Sequence, residues 1–367
     1  MNVRRWTMLG LFAMAGFFSL TLLEAPAQEK KPPKAKEVWT DPSDPTLPAD
    51  FKIQGEYVGE KVGCQVIALG KSQFQAVILD GGLPGDGWDG KTKILLHGEL
   101  TSSGASFTPA TGKRKYLAQN PLEFSATSSY PLKTQRDYTA TIAGDVMTVK
   151  TDEGKTLALT KTARKSTTLG AKAPSGATVL FDGTDTSHWT RGRIDKAAGT
   201  LNTDGNDILS KAKFNNYSAH LEFFLPYRPD ARSQGRGNSG FYMVELYEVQ
   251  ILDSFGLDGK NNEAGGIYTK LDPKVNMCYP PMTWQTYDID FTNAVREGDK
   301  ITKKARITVR HNGVLVHEDR EISGPTGGVR AQRKKTDPDP EGTPGQLVLQ
   351  GHGNPLQFRN IWVVEKK

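Results

Sequence analysis

The stretch GRGNSGFYMVELYEVQILDS, residues 235–254, combines spaced glycines, a serine, amides and acids, and three kinds of chemistry compete for it. Gly235, Gly237 and Gly240 match the spacing of a dinucleotide fingerprint, in which glycines let backbone approach a pyrophosphate at the start of a helix. That motif needs a strand before the glycines and a helix after them. Here PDARSQ precedes and a strand-like FYMV follows, so a phosphate cradle is excluded. Ser239 is followed by Gly240 and then Phe241, which does not fit the Gly-x-Ser-x-Gly turn of an activated serine. The wall of a sugar site remains. In YEVQILD, strand alternation puts Glu248, Gln250 and Leu252 on one face and Tyr247, Val249, Ile251 and Asp253 on the other. The second set faces a core, and Glu248 and Gln250 project from the opposite face, which in a curved sheet can be concave. An acid beside an amide can hold sugar hydroxyls, and the acid can move a proton. The same pattern also describes a strand with an ordinary solvated face.

These residues need strands to position them. From Phe51 to Thr162, alternating runs such as YVGEKVGCQVIALG, FQAVIL, TKILLHGEL and DYTATIAGDVMTVKT are punctuated by glycine-rich turns. The spacing predicts a small all-β domain over 51–162. Residues 163–177, ARKSTTLGAKAPSGA, read as a linker. Short strands resume at TVLFDG and recur at SAHLEFFLPY, GFYMV, YEVQIL, WQTYDIDF, ARITVR, VLVHEDREI, GQLVLQ and FRNIWVVE. Asn312-Gly313 is a two-residue hairpin signal, because both central residues of that turn need positive φ. Many antiparallel strands over 178–365 predict two packed sheets, a jelly-roll sandwich, so the fold class is all-β.

Ahead of the strands, Arg4 and Arg5 precede an apolar run from Trp6 to Leu23, and Ala25-Pro26-Ala27 offers small residues for cleavage. Residues 1–27 thus read as an export signal, with an uncleaved anchor as the alternative because about 20 apolar residues can span a bilayer. An exported chain, periplasmic or extracellular, with no later membrane span is expected. Residues 28–50 are rich in Lys, Pro and Asp and read as a disordered tether. The formal charge of +6 is concentrated in that tail (Lys30, Lys31, Lys34, Lys36) and in a loop carrying Arg330, Arg333, Lys334 and Lys335. Neither cluster is interleaved with aromatics on a strand, so the charge reads as solvated and nucleic acid is not an expected partner. Cys64 and Cys278 fall one in each half. Two thiols form no disulfide framework, and buried free thiols are the simpler reading.

Seven motifs, LFDGTDTSHW, GNSGFY, YEVQILDS, AGGIY, WQTYDIDF, HNGVLVH and LQGHGNPLQFRNIWV, resemble in order the 3-keto-disaccharide hydrolase family. That family is also described as 3-keto-glucoside 1,2-lyase/3-keto-2-hydroxyglucal hydratase and was formerly a domain of unknown function. The resemblance covers 178–365 and implies a concanavalin-like jelly roll acting on oxidised disaccharides or glycosides. Residues 51–88 are similar to a region that accompanies this family in exported planctomycete proteins, and no activity follows from that likeness.

The chemistry so implied is elimination. A ketone at C3 acidifies the C2 proton, so a base near C2, a donor for the enolate oxygen and an acid for the leaving oxygen are required. Glu248 is the candidate base, with an arginine-paired structural carboxylate as its alternative. Gln350 and His352 share strand parity, and Gly351 and Gly353 let a ligand approach the backbone. His352 is a candidate acid or oxygen donor, or else a turn-bonding histidine. Arg359 is expected to stabilise the enolate or fix Glu248, or to be structural beside Phe358 and Trp362. Asn238 and Gln250 are candidate sugar contacts, and Tyr242, Tyr268 and Trp284 are stacking surfaces or core. No cofactor is expected. The six histidines show no zinc spacing, and NTDGND (202–207) reads as a hairpin turn, although scattered carboxylates could still gather a divalent ion. A glycan-binding module, a structural envelope protein and an ordinary retaining glycosidase stay open. The last needs two carboxylates about 5 to 5.5 Å apart, with Glu222 or Glu245 as partner to Glu248.

Overall fold

The computed structural model describes residues 38–111, 131–327 and 339–366. The export signal, the first part of the tether and the loop carrying Arg330 to Lys335 lie outside the described residues. Eight antiparallel strands close into a barrel: β1 (Gly55–Gly59), β2 (Val62–Ala68), β3 (Gln73–Asp80), β4 (Lys93–Thr101), β5 (Gly104–Pro109), β6 (Thr139–Ala143), β7 (Val146–Lys150) and β8 (Thr156–Thr162), with β8 pairing back onto β1. Alternate residues such as Tyr57, Val66, Phe74, Ile78, Leu96, Phe107, Ile142, Val149 and Leu159 fill its interior. On β6 and β7 the other face is mostly exposed, which gives the in-out pattern of a strand with one wet side. In β2 and β3, by contrast, every residue or nearly every residue is buried. The outward-facing Ile67, Val77, Leu79 and Leu95 join the sandwich's own apolar cluster, so this side of the barrel is covered by the sandwich.

The sandwich is built from β9 (Thr178–Phe181), β10 (Arg193–Asp195), β11 (Thr200–Asn202), β12 (Ile208–Phe214), β13 (Tyr217–Phe224), β14 (Ser239–Met243), β15 (Tyr247–Ile251), β16 (Trp284–Thr292), β17 (Val295–Glu297), β18 (Lys300–Lys303), β19 (Arg306–His311), β20 (Val314–Glu321), β21 (Gly345–Leu349) and β22 (Gln357–Glu365). The larger sheet runs β10-β11-β22-β13-β16-β19-β20 with β9 beside β22, the smaller runs β12-β21-β14-β15, and β17 with β18 forms a separate ribbon. Leu221, Phe223, Ile289, Val309 and Phe358 of the larger sheet meet Phe241, Val249, Ile251 and Leu349 of the smaller in one core. Tyr287 crosses that core, where its hydroxyl donates to the Gln250 carbonyl at 2.6 Å and accepts the Gly265 N–H at 2.7 Å. The jelly-roll expectation is met. Asn312 and Gly313 make the turn between β19 and β20 with φ of 53° and 83°.

Three local readings change. From residue 38 on, the stretch read as tether is ordered: Trp39 exchanges backbone hydrogen bonds with Tyr227, and Tyr227 donates its hydroxyl to Asp50 at 2.7 Å. The helical turn α1 (Asp50–Ile53) then adds Ile53 to the apolar filling of the barrel. Low apolar content hid this because two or three large side chains carry the packing. The stretch read as linker lies on the larger sheet, with Thr168 donating to Asp288 at 2.6 Å and the Gly170 N–H to Glu222 at 2.6 Å. NTDGND does turn, at Asp204 and Gly205 with φ of 48° and 79°, but it links β11 in one sheet to β12 in the other and makes no hairpin. Cys64 and Cys278 are both buried free thiols. Among the described residues no helix is long and apolar enough to cross a membrane.

Candidate active site

The outer face of the smaller sheet carries a row of polar side chains that is almost wholly buried. β14 and β15 pair so that Tyr242 lies opposite Glu248 and Gly240 opposite Gln250. Because Phe241, Val249 and Ile251 point into the core, Tyr242, Glu248 and Gln250 must point away from it. The hairpin joining the strands turns through Val244 and Glu245 at φ of 47° and 62°, a left-handed geometry that costs a side-chain-bearing residue about 1–2 kcal/mol. Glu245 helps to hold the turn by accepting the Gln346 N–H at 3.0 Å. Nothing in the sequence flags this turn, since neither residue is the usual Asn or Gly.

Glu248 is 2% exposed. Its Oε2 accepts the Tyr242 hydroxyl at 2.7 Å, and the Tyr242 oxygen in turn accepts from Gln350 Nε2 at 3.2 Å. Its Oε1 lies over Gly240, where a Cβ would stand 2.1 Å away. Gly240 is therefore required for room and not for a turn; Gly237, at φ 58°, is the turn glycine. On the other side of Oε1 is the Gln250 amide, which with its nitrogen turned inward donates to Oε1 at 2.9 Å and to the Ser239 carbonyl at 2.8 Å. In the opposite orientation the Gln250 nitrogen donates instead to Gln234 Oε1 at 2.9 Å, the oxygen to which Asn238 donates at 3.1 Å. Burial pushes the Glu248 carboxyl up to about 7; the Tyr242 hydrogen bond pulls the other way, and the Asp207 carboxylate adds to the rise. Tyr242, driven upward by its own burial and by Glu248, keeps its proton throughout the working range.

Neighbouring segments complete the site. AGGIY runs alongside β15, with the Gly265 N–H donating to the Gln250 carbonyl at 3.0 Å and the Tyr268 N–H to the Glu248 carbonyl at 3.1 Å. After β21, the Gln350 N–H bonds the Gly240 carbonyl at 2.9 Å, and the Gly351 N–H donates to Asp207 Oδ1 at 2.9 Å. Gly351 sits against the Asn206 backbone, 2.1 Å from where a Cβ would be, so it serves a close chain approach. Ser239 donates to the Gln350 carbonyl at 2.6 Å, a structural use of its hydroxyl.

The structure thus brings together Glu248, Gln250, Asn238, Tyr242, Tyr268 and Gln350. Tyr242 is not a free stacking surface, because its ring is buried and its hydroxyl is committed to Glu248; Tyr268 is half-buried beside it. His352 is exposed on the loop beyond Gln350, where its carbonyl accepts from Asn354 at 3.0 Å. Arg359 and Trp284 are not part of this site. A bulge at Asn360, φ 46°, keeps Phe358 and Ile361 inward and turns Arg359 and Trp362 to the far face of the larger sheet. There Arg359 donates to Glu222 at 2.7 Å and stacks 3.9 Å over the Trp284 ring. Glu222 lies on that far face, and Glu245 serves the β14–β15 turn, where it accepts the Gln346 N–H. Sequence reasoning missed Asp207, dismissed with its turn, and the fully buried Arg236–Asp253 pair at 2.7 Å, whose arginine also bonds the Ala68 carbonyl of the barrel at 3.0 Å. Among the described residues no three His, Cys, Asp or Glu side chains are grouped to hold a metal ion.

A family model described as the 3-keto-alpha-glucoside-1,2-lyase-like domain matches residues 176–364. A solved protein from Parabacteroides distasonis, provisionally designated a glycosyl hydrolase, is 32% identical over 53% of this chain and 85% of its own, with a TM-score of 0.47. A second protein of the same designation and organism is 20% identical over 52% of this chain and 95% of its own, with a TM-score of 0.36. The chain shows no match to a curated protein.

Proposed function

Because the chain belongs to the 3-keto-alpha-glucoside-1,2-lyase-like family and is a carbohydrate-active enzyme, we propose that it cleaves 3-keto-glucosides by elimination, with Glu248 as the base at C2. The observation that carries this reading is a deeply buried carboxyl with neutral hydrogen-bond partners and a proton affinity near neutrality. A general base works best when its pKa lies near the working pH. The ketone at C3 lets Glu248 take the C2 proton; the C1–oxygen bond then breaks, C1 and C2 become doubly bonded, and the aglycone oxygen takes up a proton. His352 on the rim is the proposed donor for that proton. Water adding to the resulting 3-keto-2-hydroxyglucal completes a net hydrolysis. Gln350 supplies an amide for the ring hydroxyls and Tyr268 the aromatic surface, while Gln250 and Asn238, both buried, hold the carboxyl and its neighbours in place. An exported location fits a substrate met outside the cytoplasm.

Asp207 favours one second reading, ordinary glycoside hydrolysis, because it is another carboxylate acting on Glu248. Incubation with 3-keto-glucosides and with their unoxidised parents separates the two. Release of 3-keto-2-hydroxyglucal or 3-keto-glucose from the oxidised sugars alone is expected. Cleavage of the unoxidised sugars alone would sink the elimination mechanism. Glu248→Gln should keep substrate binding and lower turnover by about 10²–10⁴-fold. Undiminished turnover in that variant would remove Glu248 as the base.

A further inference from the structure

Among the described residues, the groups that act on the Glu248 carboxyl are neutral except one. Facing it are Tyr242 from β14, Gln250 from its own strand, Tyr268 from the flanking segment, Tyr287 from beneath and Asp207 from the turn before β12. Among the described residues no cation stands against Glu248, in contrast to Asp253, which has Arg236. Resting on the elimination reading above, we propose that Tyr242 and Gln250 are positioning residues that bracket Glu248 so that one carboxyl takes the C2 proton and returns it to C2 when water adds at C1.

The bracket serves both protonation states. While Glu248 is ionised, Tyr242 donates to Oε2 at 2.7 Å, and the Gln250 nitrogen donates to Oε1 at 2.9 Å and to the Ser239 carbonyl at 2.8 Å. Once Oε1 carries a proton, the Gln250 amide turned end for end accepts it, and its nitrogen moves to Gln234 Oε1 at 2.9 Å and Asn238 Oδ1 at 3.4 Å. Turning the amide exchanges the Ser239 carbonyl for Gln234 Oε1 and Asn238 Oδ1 as acceptors of its nitrogen, so an acceptor is in place for that nitrogen in either state. A cation in either position would fix the ionised form and stop the proton's return. Atoms balance over the cycle: the C2 proton leaves to Glu248, the aglycone departs as an alcohol, and water supplies hydroxyl to C1 and a proton to the pool while Glu248 gives its proton back to C2.

The test needs no substrate at first. The Glu248 carboxyl is titrated by difference infrared or ¹³C spectroscopy against Glu248→Gln, in the full chain and in Tyr242→Phe and Gln250→Leu. Each substitution removes a donor to the ionised form and is expected to raise the midpoint by about one pH unit, the tenfold change that one charge-assisted hydrogen bond supports. The acid limb of the kcat/KM profile on 3-keto-glucosides should move with it. Folded variants whose midpoints stay at the wild-type value would overturn the bracket, as would a rise in KM with an unmoved pH profile. If Tyr242→Phe fails to fold, fluorotyrosine at position 242 and Gln250→Leu give the same reading. Shifted midpoints in a protein that ignores 3-keto sugars would uphold the bracket and defeat the substrate assignment.

Discussion

Two glutamates, Glu222 and Glu248, sit in the middle of strands on the two outer faces of one sandwich, and both are nearly inaccessible to water. Burial raises both. For Glu222 it is outweighed by the His220 ring 3.7 Å away and by hydrogen bonds from Asn360, Arg359 and the Gly170 N–H, which together hold the carboxyl down to about 2. Glu248 has phenol and amide neighbours and rises to about 7. The difference lies in the partners and not in depth: charge and multiple donors make a permanent anion that ties the 163–177 segment to the sheet, whereas neutral partners leave a proton free to come and go.

The comparison breaks first at Glu222. Glu222→Gln should destabilise the fold by about 3 kcal/mol or more, because it leaves Arg359 without its anion and weakens the hold on Gly170; chemical denaturation at neutral pH reads it. The wild-type contribution is present above the ordinary value of 4.5 and lost as pH falls toward about 2, so the variant should also lack that step of acid unfolding. Glu248→Gln should do the opposite. A carboxyl whose folded value is raised binds its proton more tightly in the folded state, so stability falls as pH rises from 4.5 to about 7. The variant should therefore gain about 2–3 kcal/mol over wild type at pH 8 and little at pH 4, at about 1.4 kcal/mol per pH unit. A destabilised Glu248→Gln at pH 8 would erase the distinction between the faces. The smallest effect is Arg359→Lys, expected to cost about 1 kcal/mol through the lost stack on Trp284 and to leave turnover unchanged.

Much of this was legible in the chain. The strong alternation of YEVQILD gave the face of Glu248, and Asn312-Gly313 gave its hairpin. Strands β5, β8 and β12 were harder to see: TLALTKT and ILSKAKF mix lysine and threonine into the pattern, and β12 carries an irregularity between Leu209 and Lys213 that breaks its period. Closure of the barrel depends on β1 meeting β8, a pairing no local window contains. At the site, alternation told which way Glu248 points but not what meets it. That depended on Gly240 making room across the ladder and on loops returning from Gly265 and Gln350. For Arg359 the structural reading is the one the fold adopts, because β22 lies in the larger sheet, whose outer face is turned away from Glu248.

Ile67, Val77, Leu79 and Leu95, on the outside of the barrel, belong to the sandwich's oil rather than the barrel's own. A gene trimmed to the sandwich would leave the facing patch wet, at roughly 1.5–3 kcal/mol for each large side chain stripped of its cover. Recombination between relatives should thus tolerate swapped surface loops far better than a swapped or missing front module, because that module is the cover of the sandwich's apolar flank.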